Sequence, residues 1–313
     1  MDENRPMGRI VFPAFNTRNA VAADVGEEAF AAVRALAKRY EALFSRTDAT
    51  SELHRVNSAR GRKTPVSAEL AALAATALRY CEETGGLFDI TMGGVVGLWD
   101  FKHGRIPDAV SVRNALSSVG WRDVEADGSS IELKRAGASI DLGGIAKGYI
   151  ADRFRESLVE SGASHALIDL GGNIAVLGGK PDGSPWRIGI RKPVPSRGNR
   201  ADEPFALLEI DDGSVVTSGI YERAFFDNGR LYHHILDPET GFPAETDLLS
   251  ATVVSRDAID GDGYTTALIL MGADRAIAFA QEHPRIEAVL LTCEGDVLAT
   301  SGIGGAIPFA LTA

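Results

Sequence analysis

The sequence predicts an α+β fold built on largely antiparallel sheet, and three observations carry that reading. Amphipathic helical segments dominate the first part of the chain. From Trp121 onward come short β-rich runs separated by Asp-Gly and Ala-Gly turns, with helical segments interspersed. The order lacks the regular β-α-β alternation that a parallel nucleotide-binding sheet requires. At 313 residues the chain is long enough to bury a large core in one domain or two. It shows no fixed-period repeat and no low-complexity tract.

Residues 8–16 read as a first strand. Over 26–46, Phe30, Val33, Leu36, Ala37, Tyr40, Leu43 and Phe44 recur at helical spacing, and Asp24 and Glu27 suit the positive end of that helix. Residues 67–84 repeat the pattern through Leu70, Leu73, Ala74, Ala77 and Tyr80, with Ser67 as cap and Gly85-Gly86 as stop. A short helix falls between Arg105 and Gly120. Val124–Ala126, Ser130–Lys134 and Ala138–Asp141 read as short strands. Residues 146–160 form a helix with Ile150, Ala151, Phe154 and Leu158 on one face, and 165–177 are apolar and β-rich. Strands are expected at 186–191, 205–210, 214–217, 223–227 and 230–236. Pro193–Pro204 is charged and rich in Gly and Pro, which marks an exposed loop. Residues 262–272 and 274–282 read as helices, and 287–292 with 297–300 as a hairpin.

Composition narrows the function. Hydrophobic residues at 45% and charged residues at 24% are ordinary for a globular chain. A net charge of -11 without a Lys/Arg block argues against a nucleic-acid or anionic-membrane partner, and it is compatible with a carboxylate-fed metal site. Met1–Pro6 carries no apolar leader and no Cys cleavage box, and no long apolar run follows. The expectation is a cytoplasmic protein with no membrane anchor. Cys81 and Cys293 stand alone, which fits a reducing compartment, and no Cys/His cluster has zinc spacing.

Five stretches could carry chemistry. The most informative is Tyr232–Gly241. It puts His234 at the end of a strand-like run, directly before Asp237-Pro238-Glu239-Thr240-Gly241. Asp and Pro pre-set a tight turn and Gly241 supplies a positive φ, so the turn would fix where His234 points. An imidazole held there can take a proton from a hydroxyl; the plainer reading is a histidine that fills a strand end. Asp141-Leu142-Gly143-Gly144-Ile145-Ala146-Lys147-Gly148 is a strand end, a Gly-Gly turn and a helix start. Backbone N–H groups and Lys147 could hold a phosphate there, or the glycines could simply make a tight corner. Asp169-Leu170-Gly171-Gly172-Asn173 repeats the Asp-Leu-Gly-Gly pattern, where the backbone could meet a ligand or the glycines could make a bulge or tight corner. In Asp262-Gly263-Tyr264-Thr265-Thr266, the Asp and Thr266 share one helical face and offer hard oxygens suited to Mg²⁺; alternatively Asp262 is the helix N-cap. Phe88-Asp89-Ile90-Thr91-Met92-Gly93-Gly94, followed by Trp99 and Phe101, could line a pocket for a flat ring or be ordinary core.

Together these segments resemble the ApbE family, the FAD:protein FMN transferases. The match runs in the family's order through Met7-Gly8, Ser45 with Ser51-Glu52-Leu53 to Asn57, Gly86–Thr91, and Asp141–Asp152. It continues through Asp169–Asn173, Thr217-Ser218-Gly219 with Tyr221 and Arg223, His234–Gly241 and Asp262–Thr266. The resemblance implies one domain over 1–313, or two closely packed α+β subdomains with the site between them, in a T-fold-related arrangement of antiparallel sheets flanked by helices. It implies FAD as substrate, Mg²⁺ as metal, AMP as leaving group, and an acceptor flavoprotein that offers a Thr or Ser hydroxyl. By the resemblance, Mg²⁺ falls to Asp262, Thr266 and Thr265 with the Gly144 carbonyl. The flavin nucleotide falls to Met7, Leu87, Phe88, Asp89, Asp141 and Lys147, with Ile235 beside it, and the catalytic histidine is His234. Two departures stand out. Thr47 occupies a position where many relatives carry an aromatic residue against the flavin, a loss of about 1 kcal/mol of stacking. The lipoprotein signal of exported relatives is missing, which points to a cytosolic acceptor.

Three activities are compatible with these residues: FMN transfer from FAD to a protein hydroxyl, Mg²⁺-dependent FAD pyrophosphatase activity with water as acceptor, and binding of FAD without chemistry. A Rossmann oxidoreductase fits poorly, since no early strand runs into a Gly-rich helix start.

Overall fold

The computed structural model describes residues 6–191 and 204–312. The chain opens with a hairpin, β1 (Gly8–Ala14) and β2 (Thr17–Ala23), turned through Phe15 and Asn16, both at positive φ. The second strand is not expected from sequence, because no Gly or Pro marks this turn. Helix α1 (Glu27–Phe44) has the predicted buried face. A short helix that the sequence reading missed, α2 (Glu52–Asn57), is capped by Ser51. After β3 (Thr64–Pro65), α3 (Ala68–Glu83) starts where expected, with the Ser67 hydroxyl accepting from the Leu70 N–H. Next come α4 (Gly93–Val96), α5 (Ala109–Leu116), β4 (Val124–Ala126) and β5 (Ser130–Leu133). The strand expected at Ala138–Asp141 reduces to a bridge between Met92 and Ser139. The Asn57 amide takes the place of a partner strand, donating to the Ile140 carbonyl at 2.9 Å and accepting its N–H at 2.8 Å.

Helix α6 (Ala146–Glu160) and the hairpin β6 (Ala166–Leu170), β7 (Asn173–Leu177) follow. Then come β8 (Trp186–Arg191), β9 (Pro204–Ile210), β10 (Gly213–Gly219), β11 (Ala224–Asp227), β12 (Arg230–His233) and β13 (Leu248–Ser255). The loop predicted over Pro193–Pro204 lies outside the described residues, except that Pro204 begins β9. The chain closes with α7 (Ala258–Met271), α8 (Ala273–Glu282), β14 (Ile286–Thr292), β15 (Val297–Ala299) and β16 (Phe309–Leu311).

Eight strands form one sheet in the order β1-β2-β6-β7-β10-β13-β14-β15, and every pairing in it is antiparallel. Strand alternation splits its side chains between two cores. Ala175, Ala251, Val253, Ala288 and Leu290 pack under the helices. Val176, Val215, Val254, Val289 and Leu291 pack against the small β16-β9-β8 sheet. A hairpin, β11-β12, and a three-stranded β3-β5-β4 sheet stand apart from the large one.

Helices α6 and α7 clip each other by their N-termini. Asp152 of α6 accepts the Ala258 and Ile259 N–H groups that open α7, at 2.8 and 3.0 Å. Asp262 of α7 accepts the Gly148 N–H near the start of α6, at 2.9 Å. Each carboxylate satisfies helix-end donors of the other helix. The contact is close enough that a Cβ on Gly148 would sit 2.4 Å from the Ala258 carbonyl. Asp262 therefore lies in the second turn of α7. The expectation that the helix opens at 262 is corrected, and with it the reading of Asp262 as the cap of its own helix. No described helix is long and apolar enough to cross a membrane.

Candidate functional site

The loop entering α6 and the second turn of α7 bring the main candidates together. Asp141 is held on both oxygens: Arg46 Nε donates to Oδ2 at 3.0 Å and the Gly143 N–H to Oδ1 at 2.7 Å. Gly143 is exposed and Gly144 half-exposed, with a Cβ on Gly144 only 3.1 Å from the Phe88 ring. One turn on, Lys147 Nζ donates to Asn173 Oδ1 at 2.9 Å and lies 3.4 Å from Asp262 Oδ1. Asp262 is 5% exposed. Thr265 is buried and its hydroxyl pairs with that of Ser218 on β10 at 2.8 Å, while Thr266 is half-exposed on the face of α7 that carries Asp262.

These donors suit a hard divalent cation. Among the described residues no group of three or more His, Cys, Asp or Glu side chains could hold a metal. A cation here would rely on one carboxylate with hydroxyl and carbonyl oxygens, the donor set of a hard cation. One such carbonyl is free. The Gly148 N–H, which helix geometry would return to the Gly144 carbonyl, goes to Asp262. No other described N–H reaches Gly144 O.

His234 follows β12 directly. Its own N–H donates to the Arg223 carbonyl at 3.1 Å, and the next residue, Ile235, accepts from the Ala244 N–H at 3.0 Å. The expected turn is present: Asp237 Oδ1 takes the Glu239 N–H at 2.7 Å, the Asp237 carbonyl takes the Gly241 N–H at 2.7 Å, and Gly241 has φ +71°. Trp99 Nε1 donates to the Gly241 carbonyl at 3.0 Å, which ties the turn to the aromatic cluster. His234 Nδ1 is buried without a partner, which leaves Nε2 as the nitrogen able to meet a substrate. Burial pulls the imidazole down to about 4, and Arg223, His233 and Lys147 push the same way.

The other candidates serve the surroundings. Asp89 turns inward, accepting from the Thr91 N–H at 2.7 Å, the Thr91 hydroxyl at 2.6 Å and the Trp121 N–H at 3.4 Å, so its carboxylate holds its own loop. Phe88 and Ile235 are buried, Leu87 is half-buried against the main core, and Met7 is half-exposed before β1. Met92 and Trp99 pack with Phe101, Tyr232 and Phe242 as a core of their own. Arg46, Ser218 and Asn173 join the site through the contacts above without having been expected from sequence. Asn173 had one legible signal, a polar residue opening an apolar strand after Gly-Gly.

The model of the ApbE family matches residues 14–290. The chain belongs to the ApbE family. An FAD:protein FMN transferase from Klebsiella pneumoniae is 38% identical over 271 residues, covering 85% of this chain and 83% of that protein. One of the same name from Treponema pallidum is 35% identical over 255 residues, covering 76% and 69%. Among solved structures, the ApbE protein of Thermotoga maritima superposes with a TM-score of 0.86 at 28% identity, covering 95% of this chain and 97% of that one. The flavin transferase ApbE of Vibrio cholerae gives 0.82 at 25% identity, covering 95% and 98%. The α+β arrangement of antiparallel sheets flanked by helices is thus the ApbE fold.

Proposed function

We propose that this ApbE-family enzyme transfers FMN from FAD to a Ser or Thr hydroxyl of an acceptor flavoprotein and releases AMP. The observation that carries the reading is the place of Lys147, which stands 3.4 Å from the buried Asp262 and bears electrostatically on His234. The relatives' names supply the reaction class; the site supplies the division of labour. His234, neutral at pH 7 with its proton on the enclosed Nδ1, takes the hydroxyl proton at Nε2. The hydroxyl oxygen then bonds to the FMN phosphorus as the pyrophosphate bridge breaks, and AMP leaves with the bridging oxygen. Lys147 and the N-terminus of α6 face the phosphates. Asp262, Thr265, Thr266 and the Gly144 carbonyl would hold Mg²⁺. Bound there, it would neutralise charge on the pyrophosphate and the departing AMP. Met7, Leu87, Phe88, Asp89, Asp141 and Ile235 shape the flavin-nucleotide side, with Asp89 and Phe88 acting by supporting the loop against Gly144. Because the site draws on residues from Met7 to Thr266, we read the chain as one functional domain.

The test is AMP release from FAD with Mg²⁺ or EDTA, with and without an acceptor domain, followed by mass analysis of that domain. A gain of one FMN, lost in EDTA, is expected. AMP without modification of the acceptor would favour the pyrophosphatase, and bound FAD without AMP would favour a binding protein.

A further inference from the structure

Asp169–Asn173 carries no role in the reaction above, yet its last residue reaches the site. Asn173 opens β7 and is 1% exposed. Its Oδ1 accepts from Lys147 Nζ at 2.9 Å, while the same ammonium stands 3.4 Å from Asp262 Oδ1, long for a charge-assisted pair. The amide's orientation is set by chemistry, because an ammonium only donates and Oδ1 must face it. That leaves Nδ2 buried without a partner. An unpaired buried N–H₂ costs stability, so the fold alone gives no reason for an amide at this position.

We propose that Asn173 is a positioning residue that holds the Lys147 ammonium off the Asp262 carboxylate, which thereby stays open to a divalent cation. The inference rests on the reading of Asp262 as the Mg²⁺ ligand. A carboxylate this buried needs a positive partner, and two compete for it: the lysine of its own chain and a metal from solution. Lys147 has a flexible stem and three donors, so a second acceptor at shorter range can draw it aside. The acceptor must be neutral. A carboxylate in its place would bind the lysine outright or attract the metal itself. Asparagine meets that need with a neutral amide at a buried position.

The experiment is calorimetric titration of Mg²⁺ alone, without FAD, into wild type, Asn173→Ala, Lys147→Ala, the double variant and Asp262→Asn, with thermal melts alongside. Asn173→Ala should weaken Mg²⁺ binding about tenfold as Lys147 closes on Asp262, the scale of one lost contact. The double variant should regain the affinity of Lys147→Ala, because nothing remains to close. If Ala fails to fold, Asn173→Val, better suited to a strand, carries the same expectation. Wild-type affinity in the Asn173 variants, or no recovery on removing Lys147, overturns the inference. A wild type whose Mg²⁺ binding Asp262→Asn does not reduce removes instead the reading of Asp262 beneath it.

Discussion

At the scale of single residues, His234 makes the sharpest prediction. With its imidazole drawn down to about 4, it is neutral in any ordinary buffer but a weak base. Arg223 and Lys147 contribute to that depression, and on the proposed function Lys147 meets the pyrophosphate. Anionic phosphates beside such cations remove their push and raise the imidazole. The acid limb of kcat/KM, which reports free enzyme, should lie near pH 4, and that of kcat, which reports the FAD complex, should lie higher. Coincident limbs would mean that bound FAD does not face His234. His234→Ala should still quench FAD fluorescence and yet flavinylate nothing; full transfer would remove the base. Asp262→Asn keeps an acceptor for the Gly148 N–H but loses the charge, so it should melt near wild type and lose Mg²⁺-dependent AMP release. If it unfolds instead, Asp262 is a clip and no more. His234, Lys147 and Asp262 were legible because each stands beside a Gly- or Pro-determined turn or at a fixed helical spacing. Arg46 was not, since its partner lies 95 residues away, a separation that no local pattern encodes, and Asn173 shows in the sequence only as a polar residue after Gly-Gly, with its partner Lys147 26 residues away.

Among the elements, the helices are the most legible: α3 begins where its Ser67 cap puts it and α6 where its apolar periodicity does. The failures have physical causes. Strand β13 is buried along almost its whole length, so the alternation that reveals a half-exposed strand is missing. Helix α7 was started late because its opening N–H groups are satisfied by Asp152 from α6 instead of by a residue just before it. Asp152→Ala should therefore cost about 1–2 kcal/mol in urea unfolding, the range of a lost N-cap, and the amides of Ala258 and Ile259 should lose exchange protection. Unchanged protection would show that the cap is idle. Gly148→Ala places a methyl 2.4 Å from the Ala258 carbonyl and 2.7 Å from Ile259 Cα. It should destabilise by about 1–3 kcal/mol through overpacking and weaken Mg²⁺ binding in the same protein, since Asp262 moves with α7.

For the whole molecule, the two buried groups oppose each other in acid. His234 falls from 6.5 to about 4 on folding, so the unfolded chain binds the extra proton, and stability is lost as pH drops from 6.5 toward 4. Asp152 is raised from 3.8 to about 6 by burial, against the pull of the Ala258 and Ile259 N–H groups and Arg155. Its folded form binds the extra proton, so its contribution improves as pH falls from 6 toward 3.8. Each can contribute a slope of up to about 1.4 kcal/mol per pH unit, one proton's worth. Relative to wild type, His234→Ala should lose less stability on acidification from pH 6.5 and Asp152→Asn should lose more; parallel curves for all three would mean that neither group is desolvated in the folded state. The mutual clasp of α6 and α7 has a consequence for kinetics. The Gly148 N–H fixes the Asp262 side chain when the two helices dock, so on the proposed reading of Asp262 as a metal ligand that carboxylate needs no further ordering when a cation arrives. On that reading the rate of metal capture would be set by how quickly Mg²⁺ sheds water, a property of the ion.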